Sequence, residues 1–559
     1  MKKSFLLITF LSLTFFTFSQ NIISKWNFKS ILPDSIENGI DLKAISELDA
    51  MQINKDGSFN YEIKNESIIA YGTWELVNNK LSLHYDSPKK ITREYKITTK
   101  ENTLILNENG INYTFTKYED QIIIKNSKNT MNSIFRGIIG LISLLLIAFL
   151  FSRNRAAIDW KLVIKGLVIQ IIFALLILKV SFIQYGFEWL SSVFVTILSF
   201  TREGSLFVFG NLIEDVNSFG FIFAFQVLPT ILFFSALTSL LFYYGVLQKI
   251  VYGVALLMKK IMNLSGSESL AAAGNIFLGQ TESPLLIKPY IQKMTMSELL
   301  CLMSGGMATI AGGVLAAYIG FLGGSDPQQQ LFFAKHLLAA SVMSAPAAVI
   351  AAKILLPETE KVNEDMSISK EQIGTNALEA ISIGTTQGLK LAINVGAMLL
   401  VFIAFIAMVN FFLENFLGEI TGINSFISSI TNGQYDGLTL EFVLGYTLAP
   451  LTWIMGVCKE DIVLVGQLLG EKTILNEFVA YVSLGELKAS GKFFQEKSII
   501  IATYILCGFA NFSSIGIQIG GIGALAPKRT KDLSKLGILA LIAGTLASLF
   551  TAVIVGMIL

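Results

Sequence analysis

The chain has 559 residues, of which 53% are hydrophobic and 15% are charged, and its formal net charge is +1. A mean hydropathy of +0.61 excludes an ordinary soluble protein, and a charge near zero gives no bulk attraction for nucleic acid, which is therefore not an expected partner. The three cysteines lie in apolar segments, and the two histidines are far apart, so neither disulfides nor Cys/His metal sites are expected.

The N-terminus is typical of a signal peptide, because two lysines precede an apolar core in MKKSFLLITFLSLTFFTFSQ. Thr17 and Ser19 are small residues at suitable −3 and −1 positions, which predicts cleavage before Gln20 and a signal peptide over residues 1–19. The alternative is an uncleaved first transmembrane helix. Cleavage would place the start of the mature chain outside the cytoplasm.

Residues 20–125 are more polar and predict a small extracytoplasmic all-β domain. Tyr, Phe, Ile and Leu alternate with polar residues between the turn pairs DG, NN and NG, as in DGSFNYEIKN and NTLILNENGINYTFTKY. We expect six to eight short antiparallel strands, and the pattern resembles a lipocalin-type barrel. A spacer or stability role is favoured over ligand binding, and the polar residues 126–133 predict a linker.

Residues 134–559 predict an α-helical polytopic membrane domain, because long apolar segments recur and each can cross a bilayer of about 30 Å. Eight transmembrane helices are expected, near residues 134–152, 161–182, 219–246, 297–322, 330–356, 384–415, 496–517 and 534–558.

The loop charges give an orientation. Lysine and arginine concentrate in 153–165, 259–260 and 528–535, whereas 323–330 and 414–437 contain neither. The positive-inside rule then places the start of the first helix outside the cytoplasm, in agreement with an exported β-domain. One loop, 486–497, disagrees because it carries three lysines on the predicted outer side.

Two apolar stretches, 268–292 and 439–483, are interrupted by Gly, Pro or acidic residues and predict re-entrant hairpins. Thr281-Glu282 lies in the first and Asn476-Glu477 in the second. Each hairpin precedes a helix that glycines and polar residues interrupt, in SGGMATIAGGVLAAY and CGFANFSSIGIQIGGIGALAPKR. Two such halves of opposite orientation are typical of an inverted-repeat transporter with a site near the bilayer midplane.

A carboxylate at that depth is costly, so two of them at matching places favour a functional role. Carboxylates accept hydrogen bonds from vicinal hydroxyls, which predicts a polar, uncharged, sugar-like solute. The structural alternative is that Glu282 caps backbone amides or pairs with Lys288. TMSE, Thr295 to Glu298, predicts a capping box that starts the helix after the first hairpin.

Four long motifs resemble the concentrative nucleoside transporters: GNIFLGQTESPLLIKPY, MTMSELLCLMSGGMATIAGGVLAAY, LGEKTILNEFVAYVSL and YILCGFANFSSIGIQIGGIGALAPKR. The resemblance covers residues 134–559 and leaves out the β-domain. It implies eight transmembrane helices, two re-entrant hairpins, a homotrimer embedded in membrane lipid and, for a bacterial member, an inner-membrane location with the N-terminal domain in the periplasm.

The resemblance also implies residue roles. Contacts to the nucleobase and ribose fall on Gly279, Gln280, Thr281 and Glu282 of the first hairpin, on Glu477 of the second, on Val314, and on Phe509, Asn511 and Ser514 of the penultimate helix. A sodium ion would be held by Asn275, the carbonyl of Leu278, Thr309 and the carbonyl of Ile310. Sodium would be the coupling ion, and no other cofactor is implied.

The expected function is import of nucleosides by symport with a cation, sodium first and a proton as the alternative. A membrane receptor whose β-domain binds a ligand is the alternative from another class, but the longest interior loop, 357–372, is too short for an output domain. An enzyme is not expected, because no nucleophile–base pair, H-E-x-x-H or Walker motif appears, and without a P-loop ATP does not drive transport.

Overall fold

The computed structural model describes residues 25–33, 50–54, 57–63, 68–77, 80–87, 89–100, 103–108, 110–117, 130–214, 222–324, 326–366, 374–431 and 433–559. The chain divides into two compact units, 1–122 and 123–559. The predicted signal peptide lies outside the described residues, as does the first half of the predicted linker. The second half of that linker is helical, since the first helix begins at Thr130.

The described residues of the first unit form a closed barrel of eight antiparallel strands in sequence order, with β8 paired to β1. The predicted β-domain is therefore confirmed, at the upper end of the expected strand count. The strands are β1 Lys25–Pro33, β2 Ala50–Ile53, β3 Ser58–Ile63, β4 Ile68–Val77, β5 Lys80–Ser87, β6 Ile91–Lys100, β7 Thr103–Glu108 and β8 Ile111–Lys117.

Alternation along the strands fills the barrel interior. On β5, Leu81 and Leu83 are buried while their neighbours are more exposed, as the period of two in a strand requires. The core adds large aromatics, among them Trp26 and Phe59, and Phe28 packs edge-on against Phe115 with ring centroids 4.9 Å apart. Gly57 and Gly110 have φ of +85° and +80°, which explains the glycine in the DG and NG turns that precede β3 and β8.

The second unit is helical. Its helices are α1 Thr130–Leu150, α2 Trp160–Lys179, α3 Ser181–Phe209, α4 Leu228–Tyr243, α5 Val246–Met262, α6 Gly266–Asn275, α7 Ser283–Leu286, α8 Lys288–Ile291, α9 Met296–Ala308, α10 Gly312–Gly323, α11 Pro327–Leu355, α12 Ala377–Phe412, α13 Leu440–Ile454, α14 Ile462–Ile474, α15 Glu477–Ala489, α16 Glu496–Leu506, α17 Phe512–Leu525 and α18 Thr530–Ile558. Shorter helical turns cover 211–214, 223–226 and 413–430.

Within the described residues, eight helical stretches are long and apolar enough to cross a membrane, and seven of them correspond to predicted helices. The 29-residue helix α3 was not expected. Conversely, the predicted single span at 496–517 is two shorter helices, α16 and α17, separated by residues 507–511.

The second predicted hairpin also differs in extent. Residues Leu440–Ile454 form a separate helix, α13, and the two helices that flank Asn476 are α14 and α15. Both α13 and α14 are apolar and are separated by a short irregular segment. The hydropathy pattern therefore did not mark the boundary between them.

Buried polar residues fix where the first hairpin starts. The predicted capping box at Thr295–Glu298 is confirmed, and a second one, Ser265 with Glu268, starts α6. The carboxylate of Glu298 also accepts hydrogen bonds from the hydroxyls of Ser265 and Ser267, at 2.6 and 2.9 Å. These hydrogen bonds join the start of α6 to the start of α9. From there, α6 runs to the tip of the first hairpin and α9 runs to the first helix break, both of which are described below.

Candidate functional site

The tip of the first hairpin is the segment 276–282 between α6 and α7. The chain reverses there through backbone hydrogen bonds such as Leu278 N–H to the Gly274 carbonyl, 2.9 Å. The carboxylate of Glu282 accepts a hydrogen bond from the N–H of Gly279, at 2.5 Å. A Cβ on Gly279 would lie 2.2 Å from that carboxylate, so any larger residue here would force the Glu282 side chain to move.

The tip of the second hairpin is the pair Leu475-Asn476. The Asn476 side chain caps α15 by accepting the N–H of Val479 at 3.0 Å, as expected for an asparagine N-cap. This places Glu477 in the first turn of α15, where it is 2% exposed. Its carboxylate accepts the hydroxyl of Tyr318 at 3.2 Å and the amide of Asn511 at 2.7 Å.

The two helices that follow the hairpins are both broken, and the breaks touch. The first break, 309–311, separates α9 from α10, and the second, 507–511, separates α16 from α17. Gly508 has φ of +89°, and a Cβ there would lie 2.5 Å from the carbonyl oxygen of Met307. Asn511 ends the second break as the N-cap of α17, with its Oδ1 accepting the N–H of Ser514 at 2.9 Å.

Glycines let the first tip approach its broken helix. A Cβ on Gly305 would lie 2.5 Å from the side-chain amide of Asn275, and one on Gly306 would lie 2.9 Å from the Cβ of Gln280. The consecutive glycines in SGGMA therefore give the tip close contact with α9, as small residues do between membrane helices.

These four elements surround a cavity of about 280 Å³, near the lower end of the range for small-molecule sites. All nine residues predicted to bind the solute line it, which are Gly279, Gln280, Thr281, Glu282, Val314, Glu477, Phe509, Asn511 and Ser514. The structure thus brings together residues that are up to 235 positions apart, from Gly279 to Ser514 (514 − 279).

Sequence reasoning missed the wall that α12 supplies. Leu391, Asn394, Val395 and Met398 line the same cavity. The available signal was Asn394, the one amide in the apolar stretch 391–409 of that helix. Five further lining residues were not predicted, but each is close in sequence to a predicted one. They are Ala311, Asn476, Phe478, Ser513 and Ile517.

The cavity has both acceptors and apolar surface. Gln280 donates to the Ser514 hydroxyl at 3.2 Å, while its Oε1 is buried and has no hydrogen-bond partner among the described residues. Phe509 and Val314 are apolar and suit a flat ring, whereas Glu282 and Glu477 suit hydroxyl donors. Such a lining fits a solute with one planar apolar part and one hydroxyl-rich part.

The four residues predicted to hold sodium lie at the seam between the first tip and the first break, and all are buried. Ser341 of α11 joins the two sides, since its hydroxyl donates to the Ile276 carbonyl at 3.0 Å and accepts the N–H of Ile310 at 3.4 Å. Sequence reasoning missed this serine, which carries no local motif.

The donor set at this seam fits a hard monovalent cation. Asn275 donates its amide to the Leu302 carbonyl at 3.3 Å, but its Oδ1 is buried without a hydrogen-bond partner in the described part of the chain. Thr309 adds a hydroxyl at the end of α9, where the last carbonyls of a helix lack intrahelical partners. Uncharged oxygens of this kind suit sodium.

The fold and the cavity define a helical, polytopic membrane transporter. Family models for a Na+ dependent nucleoside transporter match at residues 139–212 (its N-terminus) and 336–556 (its C-terminus), and a model described as nucleoside recognition matches 224–325. All three lie within the helical unit.

Relatives and solved structures agree. An uncharacterized transporter of Haemophilus influenzae is 40% identical over 429 residues, which are 76% of this chain and 98% of that protein. Sodium/nucleoside cotransporter 1 of Rattus norvegicus is 40% identical over 75% of this chain, which spans 62% of the rat protein. The structure of CNTnw in an inward-facing substrate-bound state is similar with a TM-score of 0.67 and 37% identity, over 76% of this chain and 98% of that one. The chain belongs to the concentrative nucleoside transporter family.

Proposed function

We propose that this protein imports nucleosides by symport with sodium, and that the nucleoside binds in the 280 Å³ cavity. The observation that carries the proposal is that both hairpin tips and both helix breaks line this one cavity and supply two carboxylates to it. Binding between two pseudo-symmetric halves allows access to alternate between the two sides of a membrane.

The polar groups divide between the two parts of a nucleoside. Glu477 and Glu282 accept hydrogen bonds from the ribose hydroxyls, because a carboxylate is an acceptor with no donor of its own. Gln280 and Thr281 contact the base and the ribose, while Asn511 and Ser514 complete the polar wall. The apolar surfaces of Val314 and Phe509 lie against the planar base.

Sodium is the coupling ion in this proposal, bound at the seam by Asn275, Thr309 and the carbonyls of Leu278 and Ile310. When bound, it supplies a positive charge that ties the first hairpin tip to the broken helix. The unpartnered Oδ1 of Asn275 supports an ion there, because a buried acceptor without a donor is costly. The sodium dependence in the matching family description supports the same choice.

We propose eight crossings and two re-entrant hairpins. The positive-inside pattern holds if α3 lies along the membrane surface and the broken pair α16–α17 forms a crossing instead. Counting α3 as a crossing would put Lys259 and Lys260 outside. Its 18-residue window also has the lowest hydropathy of the eight candidates, 1.3, and it carries Glu188, Arg202 and Glu203.

The remaining parts of the proposal are a bacterial inner-membrane location, a cleaved signal peptide, a periplasmic β-barrel that acts as a spacer, and a homotrimer. The aromatic and aliphatic filling of the barrel interior supports the spacer role. Light scattering of the purified protein in detergent tests the trimer, and a protease added to intact spheroplasts tests the periplasmic location.

Uptake of labelled uridine into proteoliposomes, with and without an inward sodium gradient, tests the function. We expect accumulation above the external concentration only with the gradient. Accumulation that follows a proton gradient and ignores sodium contradicts the choice of ion. Binding of nucleoside without any uptake contradicts transport and favours the receptor alternative.

A further inference from the structure

Lys472 of α14 is a buried cation that the proposed site does not use. It is 1% exposed, and its ammonium donates to the carbonyls of Ile505 and Cys507, both at 2.9 Å, and to the hydroxyl of Ser548 at 3.2 Å. An ammonium has three N–H donors, so these three uncharged oxygens satisfy it completely.

The carbonyls that hold Lys472 belong to the second helix break. Because α16 ends at Leu506, its last carbonyls lack intrahelical partners and form the negative end of the helix dipole. Ser548 of α18 donates to the Cys507 carbonyl at 2.7 Å and thereby fixes one of them. A positive charge is therefore favourable next to these carbonyls. The chain supplies that charge itself, as the side chain of Lys472.

The first repeat has an equivalent contact between a hairpin helix and a helix break. There, the end of α6 meets the break after α9, and Ser341 of α11 contacts both sides. In the second repeat, the last turns of α14 meet the break after α16, and a serine of α18 contacts that break. The first repeat has the neutral Asn275 with an unpartnered Oδ1, whereas the second has the charged Lys472.

We propose that the Lys472 ammonium is a built-in cation, which occupies in the second repeat the position that the coupling ion takes in the first. This inference rests on the proposed sodium site. It assigns different chemistry to the two hairpins: the second is tied to its broken helix permanently, and the first only while a soluble cation is bound. Each protomer then has one exchangeable cation site.

Thermal unfolding of the purified, full-length protein in detergent tests the inference without nucleoside. Lys472→Met keeps most of the side-chain volume and removes the charge, while Lys472→Ala leaves room for a small cation. We expect both variants to unfold at a lower temperature than the wild type. Ammonium or sodium chloride should raise the unfolding temperature of Lys472→Ala, saturably and more than that of the wild type, and choline chloride should not.

Ser548→Ala is the matched control, since it removes one of the three acceptors and keeps the charge; its unfolding should gain no new response to ammonium. A Lys472→Met protein as stable as the wild type would overturn the inference. So would a Lys472→Ala protein whose response to the three salts equals that of the wild type.

The sodium dependence of nucleoside binding gives a second test, and its wild-type measurement needs no variant to fold. The wild type should bind nucleoside with a Hill coefficient for sodium of about 1, and Lys472→Ala with one approaching about 2. A wild-type coefficient of about 2 would overturn the inference, because the second repeat would then hold a soluble ion. If the wild type binds no nucleoside at all, the proposed function fails, and the salt response of the Lys472 variants still tests the built-in cation.

Discussion

Replacing Glu477 by glutamine removes a negative charge from the cavity with little change in shape. The side-chain amide of Asn511 cannot flip to offer its oxygen to the new glutamine. Its Oδ1 already accepts the N–H of Ser514 and the hydroxyl of Ser513, at 2.9 and 2.7 Å. The new side chain must therefore direct its carbonyl to Asn511 and its NH₂ to Tyr318, whose hydroxyl can accept. Both polar groups of the new side chain then have a partner, and the cost within the protein is confined to the Tyr318 hydroxyl, which loses the acceptor for its own proton.

We therefore expect Glu477→Gln to fold and assemble as the wild type does and to lose affinity for nucleoside. A hydrogen bond to a charged group contributes about 1.5–3 kcal/mol, so the dissociation constant should rise roughly 10- to 150-fold. Isothermal titration calorimetry with uridine measures this change, and size-exclusion chromatography checks assembly.

Tyr318→Phe is the control, because it removes a neighbour of the Glu477 carboxylate and leaves the charge in place. It loses a hydrogen bond within the protein and none to the nucleoside, so its affinity should fall by less than that of Glu477→Gln, roughly tenfold at most. Wild-type affinity in Glu477→Gln would refute the ribose role of this carboxylate. An equal loss in both variants would show that packing, and not charge, explains the effect.

Three further predictions concern the first hairpin, the ion and the barrel. Glu282→Gln should lower nucleoside affinity by a similar roughly 10- to 150-fold factor in the same titration, and unchanged affinity would leave Glu282 as only a cap for Gly279. Thr309→Val keeps the shape and removes an oxygen, so half-maximal uptake should need more sodium; an unchanged sodium dependence would place the ion elsewhere. A variant that lacks residues 21–125 should still assemble and take up nucleoside at concentrations far below and far above half-saturation, and a selective loss at the low concentration, with equal membrane expression, would instead indicate solute capture by the barrel.

The sequence predicted the site better than the boundaries of the helices. Polar residues such as Gln280, Glu282 and Glu477 stand out in apolar segments, because burying them is costly without a role. Others, such as Val314, Phe509 and Ser514, came only from the family resemblance, and all nine predicted solute-binding residues line one cavity in the structure. Their roles in binding remain predictions.

The missed features have physical reasons. Helix α3 carries charged residues along its length, so its hydropathy is low for a helix of 29 residues. Asn394 and Ser341 belong to the site only through tertiary packing, and neither follows a local motif. Lys472 was not singled out, because a lysine in a sequence gives no sign of the helix-end carbonyls that surround it after folding.

The geometry of the two carboxylates gives a reason why an ion at the proposed sodium site would affect nucleoside binding. Glu477 is held from outside its own hairpin, by Tyr318 and Asn511, and so its position does not depend on an ion. Glu282 is held only by Gly279 of its own tip in the hydrogen bonds described, and its side chain is exposed to the cavity. An ion on Asn275 and Leu278 fixes the same tip a few residues away. In the proposed mechanism, sodium orders the carboxylate that the protein leaves loosely held, and by linkage a nucleoside that binds Glu282 would tighten sodium binding by the same factor.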